Sequence, residues 1–405
     1  MLRELVAASH LMSMEQLPGA AARHAADVGL HDVVIYVADL QQTVLRLLTG
    51  RGADAGGDPG AETPELKIEG TIAGRAYQTM EPVVGQAFDD GSVQYWLPIL
   101  DGIERIGVVR ATIPREDPLR RADAEYLAGL LALIIVSKGP YSDSLSRLVR
   151  TRDMSVSAEM QWRLLPPLTF ANDQVVISAA LEPAYRLGGD TFDYALAGDT
   201  VHFGVFDAMG HDTRSGLTAG LAIAAFRNGR LRRSGLLETG QEIEDVLVEQ
   251  DRSGRFVTAV LAELDLRSGV LSFASYGHPA PVVIRKGRWV TSLESRPGTP
   301  LGTGLGVVPE LSTEQLEPGD RVLLYTDGIV EARDPDKQEF GLHRFIDFLI
   351  KRNADGLSAP ETLRRLVHNI LEHHAGRLDD DATVLLLEWH GWSGKAAVLD
   401  SLRTP

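Results

Sequence analysis

Residues Arg186 to Tyr194 read RLGGDTFDY, a glycine pair opening onto a carboxylate. Glycines let a backbone approach a ligand, a metal or another strand closely. One Asp beside a turn is ordinarily a cap. Asp190, however, has company: Asp207 stands in HFGVFDAMGHD, Asp327 in VLLYTDGIVEA and Asp380 in LDDDATVLLLE, each at an apolar strand's end or a glycine turn. Carboxylates that follow buried strands are poorly solvated. Brought together, they repel and raise one another's pKa unless a cation neutralises them. All-oxygen sites of this kind hold hard divalent ions, with Mg²⁺ and Mn²⁺ the natural candidates.

Working outward from that stretch, strand-like runs recur from about Val175: VVISAAL, TVHFGVF, FVTAVLAELDL, GVLSFASYG, PVVIRKGRWVTSL, RVLLYTDG and ATVLLLEWH. Short turns at Asp199, Arg267-Ser268-Gly269 and Lys286-Gly287 predict antiparallel pairing. Helical segments over Arg214–Asn228, Leu237–Gln250, Leu342–Lys351 and Pro360–His374 are interleaved. Two sheets that bury one face on each other and the other under helices would use all of this apolar surface.

Upstream the pattern differs. A helical opening leads to a hairpin over Val33 to Leu48, with polar Asp-Leu-Gln-Gln at its turn, and then to Thr49–Pro64, whose Gly, Ala, Asp and Pro content predicts a mobile loop. A second hairpin spans Val93 to Ile113 with Asp101-Gly102 at the turn, and Pro118 opens a helix running to about Ser137. In Tyr141 to Pro167, the apolar residues Leu145, Val149, Val156, Met160 and Leu164 fall on one helical face, and Pro166-Pro167 ends the segment.

Composition narrows the function. The chain has 405 residues, too many for one ordinary core, and 24% charged residues, as in soluble globular proteins. A net charge of −16 without a Lys/Arg block argues against nucleic acid as a partner. The absence of cysteine excludes disulfides, thiolate metal sites and cysteine nucleophiles. The longest apolar run, Tyr126 to Val136, is too short to span a bilayer, and the N-terminus lacks a signal pattern. No membrane association and a cytoplasmic location are the expectation.

Seven motifs in order, Gly-Gly-Asp, Asp-Ala-Met-Gly-His, Phe-Val-Thr, Tyr-Gly-His-Pro, Thr-Pro-Leu-Gly, Tyr-Thr-Asp-Gly and Asp-Asp-Ala-Thr, closely resemble the metal-dependent protein phosphatases of type 2C, in their bacterial SpoIIE-like branch. The likeness covers about Pro167 to Trp389. The N-terminal region resembles a GAF-type sensory domain, on the order of its elements, on EGTIAGRAYQTMEPV as the loop before the central strands, and on WLPILDGIERIGVV. The expected fold is therefore α+β. It comprises a GAF-like antiparallel sheet with helices over 1–138, an amphipathic helical linker over 139–167, a four-layer α-β-β-α sandwich of two antiparallel sheets over 168–392, and a C-terminal tail over 393–405.

The resemblance implies hydrolysis of phosphomonoesters by water activated at two divalent ions, with no covalent intermediate. Asp207 would bridge the ions and the Ala208 carbonyl would complete one of them. Asp327 and Asp380 would hold one ion, Asp190 would act on the other side, and Asp381, counted with the metal site, would orient it by hydrogen bonding. His211 is the candidate proton donor, against a structural role in its turn; Arg186 would meet substrate phosphate or pair with a neighbouring carboxylate. His278 is expected to be structural. Asp212 and Thr191 depart from the family pattern, Asp212 as a helix cap and Thr191 with Phe192 filling the aromatic's space.

The implied partners are a phosphoserine or phosphothreonine protein, with an anti-sigma-factor antagonist the candidate, a small ligand of the GAF-like domain, and a second copy joined through the linker helix. Two rival readings stand beside this one. A diguanylate cyclase shares Gly-Gly-Asp and a nearby Phe, yet Thr191 occupies the place of its second acidic residue. A degenerate, non-catalytic phosphoprotein-binding module would be expected to lose metal ligands, which are intact here.

Overall fold

The computed structural model describes residues 2–50, 64–114, 117–182, 184–186, 188–210, 212–250, 254–331, 340–354, 356–373 and 381–392. The chain divides into two compact units, Met1–Asp153 and Met154–Pro405. Most of the expected loop at Thr49–Pro64, and the tail from 393, lie outside the described residues.

The first unit contains α1 (Leu2–Ser9), α2 (Leu17–Ala26), β1 (His31–Ala38), β2 (Val44–Leu48), β3 (Glu65–Lys67), α3 (Ile72–Thr79), β4 (Val83–Ala87), β5 (Ser92–Asp101), β6 (Glu104–Pro114), α4 (Pro118–Lys138) and α5 (Asp143–Val149). Its strands form one antiparallel sheet in the order β3-β2-β1-β6-β5-β4. The β1–β2 turn is made by buried Asp39, whose Oδ1 accepts the N–H groups of Thr43 and Val44 at 2.7 and 2.8 Å. One face of the sheet buries Ile35, Leu97, Val109 and Ile113 against helices that include α4; the other packs Tyr36 and Trp96 against Ala73, Ala76 and Tyr77 of α3. The segment 69–83, expected as a loop, thus holds a helix. Thr71 starts it by accepting the Gly74 N–H.

The linker expectation is corrected. Residues 141–167 do not form one helix but two, α5 and α6 (Val156–Leu164), separated by extended backbone at Arg150. Arg46 explains the stop: its guanidinium donates to the carbonyls of Leu148 and Arg150 at 2.7 and 2.9 Å, taking the orphan acceptors at the end of α5. Ser155 then caps α6 by accepting the Ala158 N–H. Apolar spacing made one face across the gap, but the faces serve different cores: Leu148 belongs to the first unit's core and Ala158 to the second's.

The second unit continues with β7 (Thr169–Ala171), β8 (Val175–Glu182), β9 (Asp190–Ala197), β10 (Thr200–Ala208), α7 (Thr213–Arg232), α8 (Leu236–Gln250), β11 (Val257–Asp265), β12 (Val270–Tyr276), β13 (Val282–Arg285), β14 (Trp289–Ser292), β15 (Ser312–Gln315), β16 (Arg321–Tyr325), α9 (Asp327–Val330), α10 (Leu342–Ala354), α11 (Ala359–His373) and β17 (Ala382–Trp389). One antiparallel sheet runs β15-β12-β11-β10-β9 and the other β14-β13-β16-β17-β8-β7. Along β10, Val201, Phe203 and Val205 enter the core between the sheets with Ile177, Leu324 and Leu385, whereas Phe206 and Ala208 face α7 and α8. This period of two, repeated on the partner strands, produces the expected four layers.

Candidate active site

The period that builds the core also aims the acids. Asp190 lies directly opposite Asp207 in the β9–β10 ladder. Asp207 shares its face with Val201, Phe203 and Val205, and Asp190 shares its own with Phe192 and Tyr194, so both carboxylates project toward the facing sheet. That sheet answers with Thr326, whose hydroxyl accepts the Thr383 N–H at 2.9 Å and donates to Asp190 Oδ2 at 2.6 Å. Asp327 follows at once and is half-buried.

Backbone contact explains the glycines. A Cβ at residue 189 would overlap the Ala208 carbonyl oxygen, and one at 328 would overlap the Asp381 carbonyl oxygen. Gly-Gly-Asp therefore packs onto Asp207-Ala208, and Asp327-Gly328 onto Asp381. Asp381, itself buried, turns Oδ2 toward three successive N–H groups, those of Gly188, Gly189 and Asp190, at 2.6, 2.8 and 3.3 Å. The expected orienting role of Asp381 has this geometry. The same loop is held from behind by α6, where Gln161 Nε2 donates to the Gly188 carbonyl at 2.9 Å and Trp162 Nε1 to that of Ala184 at 2.7 Å.

Burial raises the Asp190 pKa well above the usual carboxylate range, with the charges of Asp207 and Asp381 adding to the effect. An all-oxygen cluster with a desolvated carboxylate is what a hard divalent cation would neutralise, so these residues fit one. Asp190 stands opposite Asp207, Asp381 bonds the backbone beside it and Asp327 follows Thr326, but among the described residues no three of these carboxylates have ligand atoms within 4.8 Å of one another. Asp380 and His211 lie outside the described residues. Arg186 is exposed and has no ion pair among the described residues, so the alternative of a neighbouring carboxylate partner is not seen.

Four contributors escaped sequence reasoning. Thr326 was present only as context within Tyr-Thr-Asp-Gly. Asp193, one strand position out of phase with Asp190, faces α7 and is paired with Arg227 and Arg230, each at 2.6 Å. Arg255 Nη1 donates to the Met209 carbonyl at 3.1 Å, while Nη2 meets Asp212 Oδ2 at 2.8 Å. Asp212 does cap α7, accepting the N–H groups of Arg214 and Ser215 at 3.1 and 3.0 Å. Thr258, directly opposite Asp207, carries a hydroxyl 2.8 Å from His278 Nδ1. His278 Nε2 lies 3.0 Å from the Tyr325 carbonyl, which can only accept, so that nitrogen carries the proton. The expectation that Phe192 fills the space beside Thr191 is also corrected, because adjacent strand residues point to opposite faces and Phe192 lies between the sheets.

Two antiparallel sheets packed between helices, with acids converging at one end, define a phosphatase fold of the PP2C type. It is similar to the SiaA-PP2C domain of Pseudomonas aeruginosa, at a TM-score of 0.50 and 22% identity, covering 63% of this chain and 99% of that one. The family described as Stage II sporulation protein E (SpoIIE) matches residues 197–390. The second unit is accordingly a SpoIIE/PP2C-family phosphatase domain, and the diguanylate cyclase reading falls. Among curated proteins, phosphoserine phosphatase RsbU of Bacillus subtilis is 24% identical over 250 residues, 58% of this chain and 69% of that protein. Protein IcfG of Synechocystis is 24% identical over 279 residues, and the match spans 60% of this chain but 42% of IcfG. The family match begins after Arg186 and Asp190 and does not include them.

Proposed function

We propose that the second unit is a metal-dependent serine/threonine phosphoprotein phosphatase and that the first unit regulates it. The observation that carries this reading is the in-register meeting of Asp190 and Asp207, closed from the opposite sheet by Thr326. Asp190, Asp207, Asp327 and the Ala208 carbonyl, with Asp380, would hold two divalent ions, Mn²⁺ or Mg²⁺. When bound, such ions lower the pKa of water and polarise phosphoryl oxygens.

The chain's own groups keep this constellation ready. Asp381 fixes the Gly188–Asp190 backbone, Thr326 fixes the Asp190 carboxylate, and Arg255 fixes the Met209 carbonyl next to Ala208. Arg186, exposed four residues before Asp190, can offer a bidentate contact to a phosphate dianion. His211 is the proton donor in this reading.

The substrate is a phosphoserine or phosphothreonine protein. The likeness to RsbU, itself named a phosphoserine phosphatase, supports phosphoserine and makes a phosphorylated anti-sigma-factor antagonist the first candidate. The first unit, a six-stranded antiparallel sheet bracketed by helices, is read as a GAF-like sensor for a small ligand. The division into sensor, 139–167 connection and phosphatase, and the cytoplasmic location, belong to the same proposal. Among the described residues no helix is long and apolar enough to cross a membrane.

Hydrolysis of an aryl phosphate and of a phosphoserine peptide with Mn²⁺ tests the reading. Activity is expected to vanish with excess chelator and with Asp207→Ala. Hydrolysis that survives either treatment would overturn it.

A further inference from the structure

The first unit leaves one cation unanswered. On the sheet face that packs against α3, Val34 of β1, Arg110 of β6 and Trp96 of β5 stand side by side in one row, and Thr112 and Gln94 are paired in the next. Helix α3 packs on Tyr36, Val108 and Trp96, while Val34, Gln94 and Arg110 stay half-buried beside it. Arg110 Nε is shut off from solvent and has no hydrogen-bond partner, and among the described residues no carboxylate pairs with its guanidinium. Arg105, also beside α3, is treated differently: it lies over the Tyr77 ring and donates to Gln42 Oε1 at 2.7 Å. A buried N–H without an acceptor is destabilising, and a charge without a counter-charge more so. Arg110 therefore points to a ligand rather than to the fold.

Its neighbours hold the side chain in place. Trp96 backs the guanidinium, whose carbon lies 5.8 Å from the ring centre. The indole N–H donates to Gln94 Oε1 at 3.1 Å, so the ring offers Arg110 its face alone. Gly85 of β4 makes room for this pair, since a Cβ there would press on Gln94 Oε1 at 3.0 Å and on the indole at 3.1 Å. At the rim, Thr112 Oγ1 donates to Oδ2 of exposed Asp32 at 3.4 Å, which places one carboxylate near the mouth of this row.

These features specify a chemistry. A guanidinium stacked on a ring presents its edges, and Nε–H with the neighbouring Nη–H forms a fork that takes both oxygens of a carboxylate. A single cation with the Asp32 carboxylate nearby favours one negative charge over the two of a phosphate monoester. Val34, beside the guanidinium in the same row, supplies an apolar wall for the rest of the molecule. We propose that Arg110 anchors a small organic carboxylate with a compact apolar body on this face of the first unit. The inference rests on the reading of that unit as a sensor for a small ligand, and it gives that reading a site and a ligand class.

Calorimetry on the full chain, with metal omitted, tests this with isovalerate, benzoate and indole-3-acetate as probes and inorganic phosphate for comparison. At least one carboxylate is expected to bind with a Kd of about 1 mM or tighter, and more tightly than phosphate. Arg110→Met should weaken that binding by roughly 10-fold or more, whereas Arg75→Met, exposed on α3, should leave it unchanged. A second measurement needs no ligand: Arg110→Met should melt no lower than the wild type, because the cation it removes has no counter-charge. Binding by none of the three carboxylates, tighter binding of phosphate, equal losses at residues 75 and 110, or a lowered melting temperature of ligand-free Arg110→Met would each overturn the proposal. A carboxylate that binds through Arg110 yet leaves phosphopeptide hydrolysis unchanged would uphold the site and sink only the regulatory reading of the first unit.

Discussion

Thr326 Oγ1 donates to Asp190 Oδ2 at 2.6 Å and thereby joins the end of one sheet to the first residue of a strand in the other. Its hydrogen has one destination, because the Thr383 N–H already occupies the hydroxyl as acceptor. Thr326→Val removes both bonds in a buried place and should cost about 1–3 kcal/mol. The Mn²⁺ concentration for half-maximal hydrolysis should rise several-fold, and Thr326→Ser should restore it. Unchanged metal dependence in Thr326→Val would separate this hydroxyl from the site.

RLGGDTFDY holds two buried acids on opposite faces, and they should fail differently. Asp193→Ala leaves Arg227 and Arg230 without their shared carboxylate and should destabilise the fold by about 3 kcal/mol, with metal binding intact in the folded fraction. Asp190→Asn should lower hydrolysis by roughly 100-fold. The metal-free variant should melt no lower than the wild type, because a desolvated charge beside Asp207 is gone. Calorimetric metal titration and thermal melts of both variants distinguish the two roles.

Gly189 has no room for a side chain against the Ala208 carbonyl. Gly189→Ala must part β9 from β10 where Asp190 meets Asp207, with an expected loss of about 3 kcal/mol or more and of most activity. Gly235, where a Cβ meets nothing within 4 Å, should accept alanine with both properties preserved. Equal tolerance at the two positions would contradict this packing.

His278 is buried and held neutral, with its pKa pushed down to about 4 by loss of solvent. The unfolded chain binds a proton near pH 6.5 and the folded chain does not. The stability it confers is therefore full above that pH and is lost as pH falls toward 4. The difference is on the order of 3 kcal/mol. Melting of the wild type at pH 7 and pH 5 should show the decline, and His278→Gln should flatten it while lowering stability at pH 7.

Arg255 and Asp212 clasp the turn that follows Asp207 and Ala208. Arg255→Ala and Asp212→Ala should each weaken Mn²⁺ binding several-fold, and the double variant should lose little more than either alone. The Ser215 N–H, and after it Arg255, hold the Asp212 carboxyl down at a pKa of about 2. Its contribution is present above the ordinary carboxylate pKa and disappears as pH falls toward 2. Strictly additive losses in the double-mutant cycle would deny the coupling.

The strands and helices of the second unit were legible because each carries its own period. Strand-like apolar runs placed VVISAAL, TVHFGVF and ATVLLLEWH on β8, β10 and β17. Strand β9 was harder: DTFDYALA opens with two acids, and only the surrounding sheet, α7 arginines on one side and Thr326 on the other, makes both compatible with burial. The linker misled for the opposite reason. Leu145 to Leu164 has a consistent helical face, but Arg46, about a hundred residues away in sequence, ends α5 by taking its carbonyls.

By itself the sequence determined which residues could do chemistry here. Oxygen donors without cysteine, acids at strand ends and glycines at close approaches are local properties of residue type and spacing. Only the tertiary structure decided which acid serves which purpose. Asp190, Asp193 and Asp381 are alike as carboxylates, yet one faces Asp207, one is neutralised by two arginines and one is spent on three backbone N–H groups. That assignment depends on which face of which strand meets which neighbour. Such contacts join residues on different elements, up to 193 positions apart, and no local pattern encodes them.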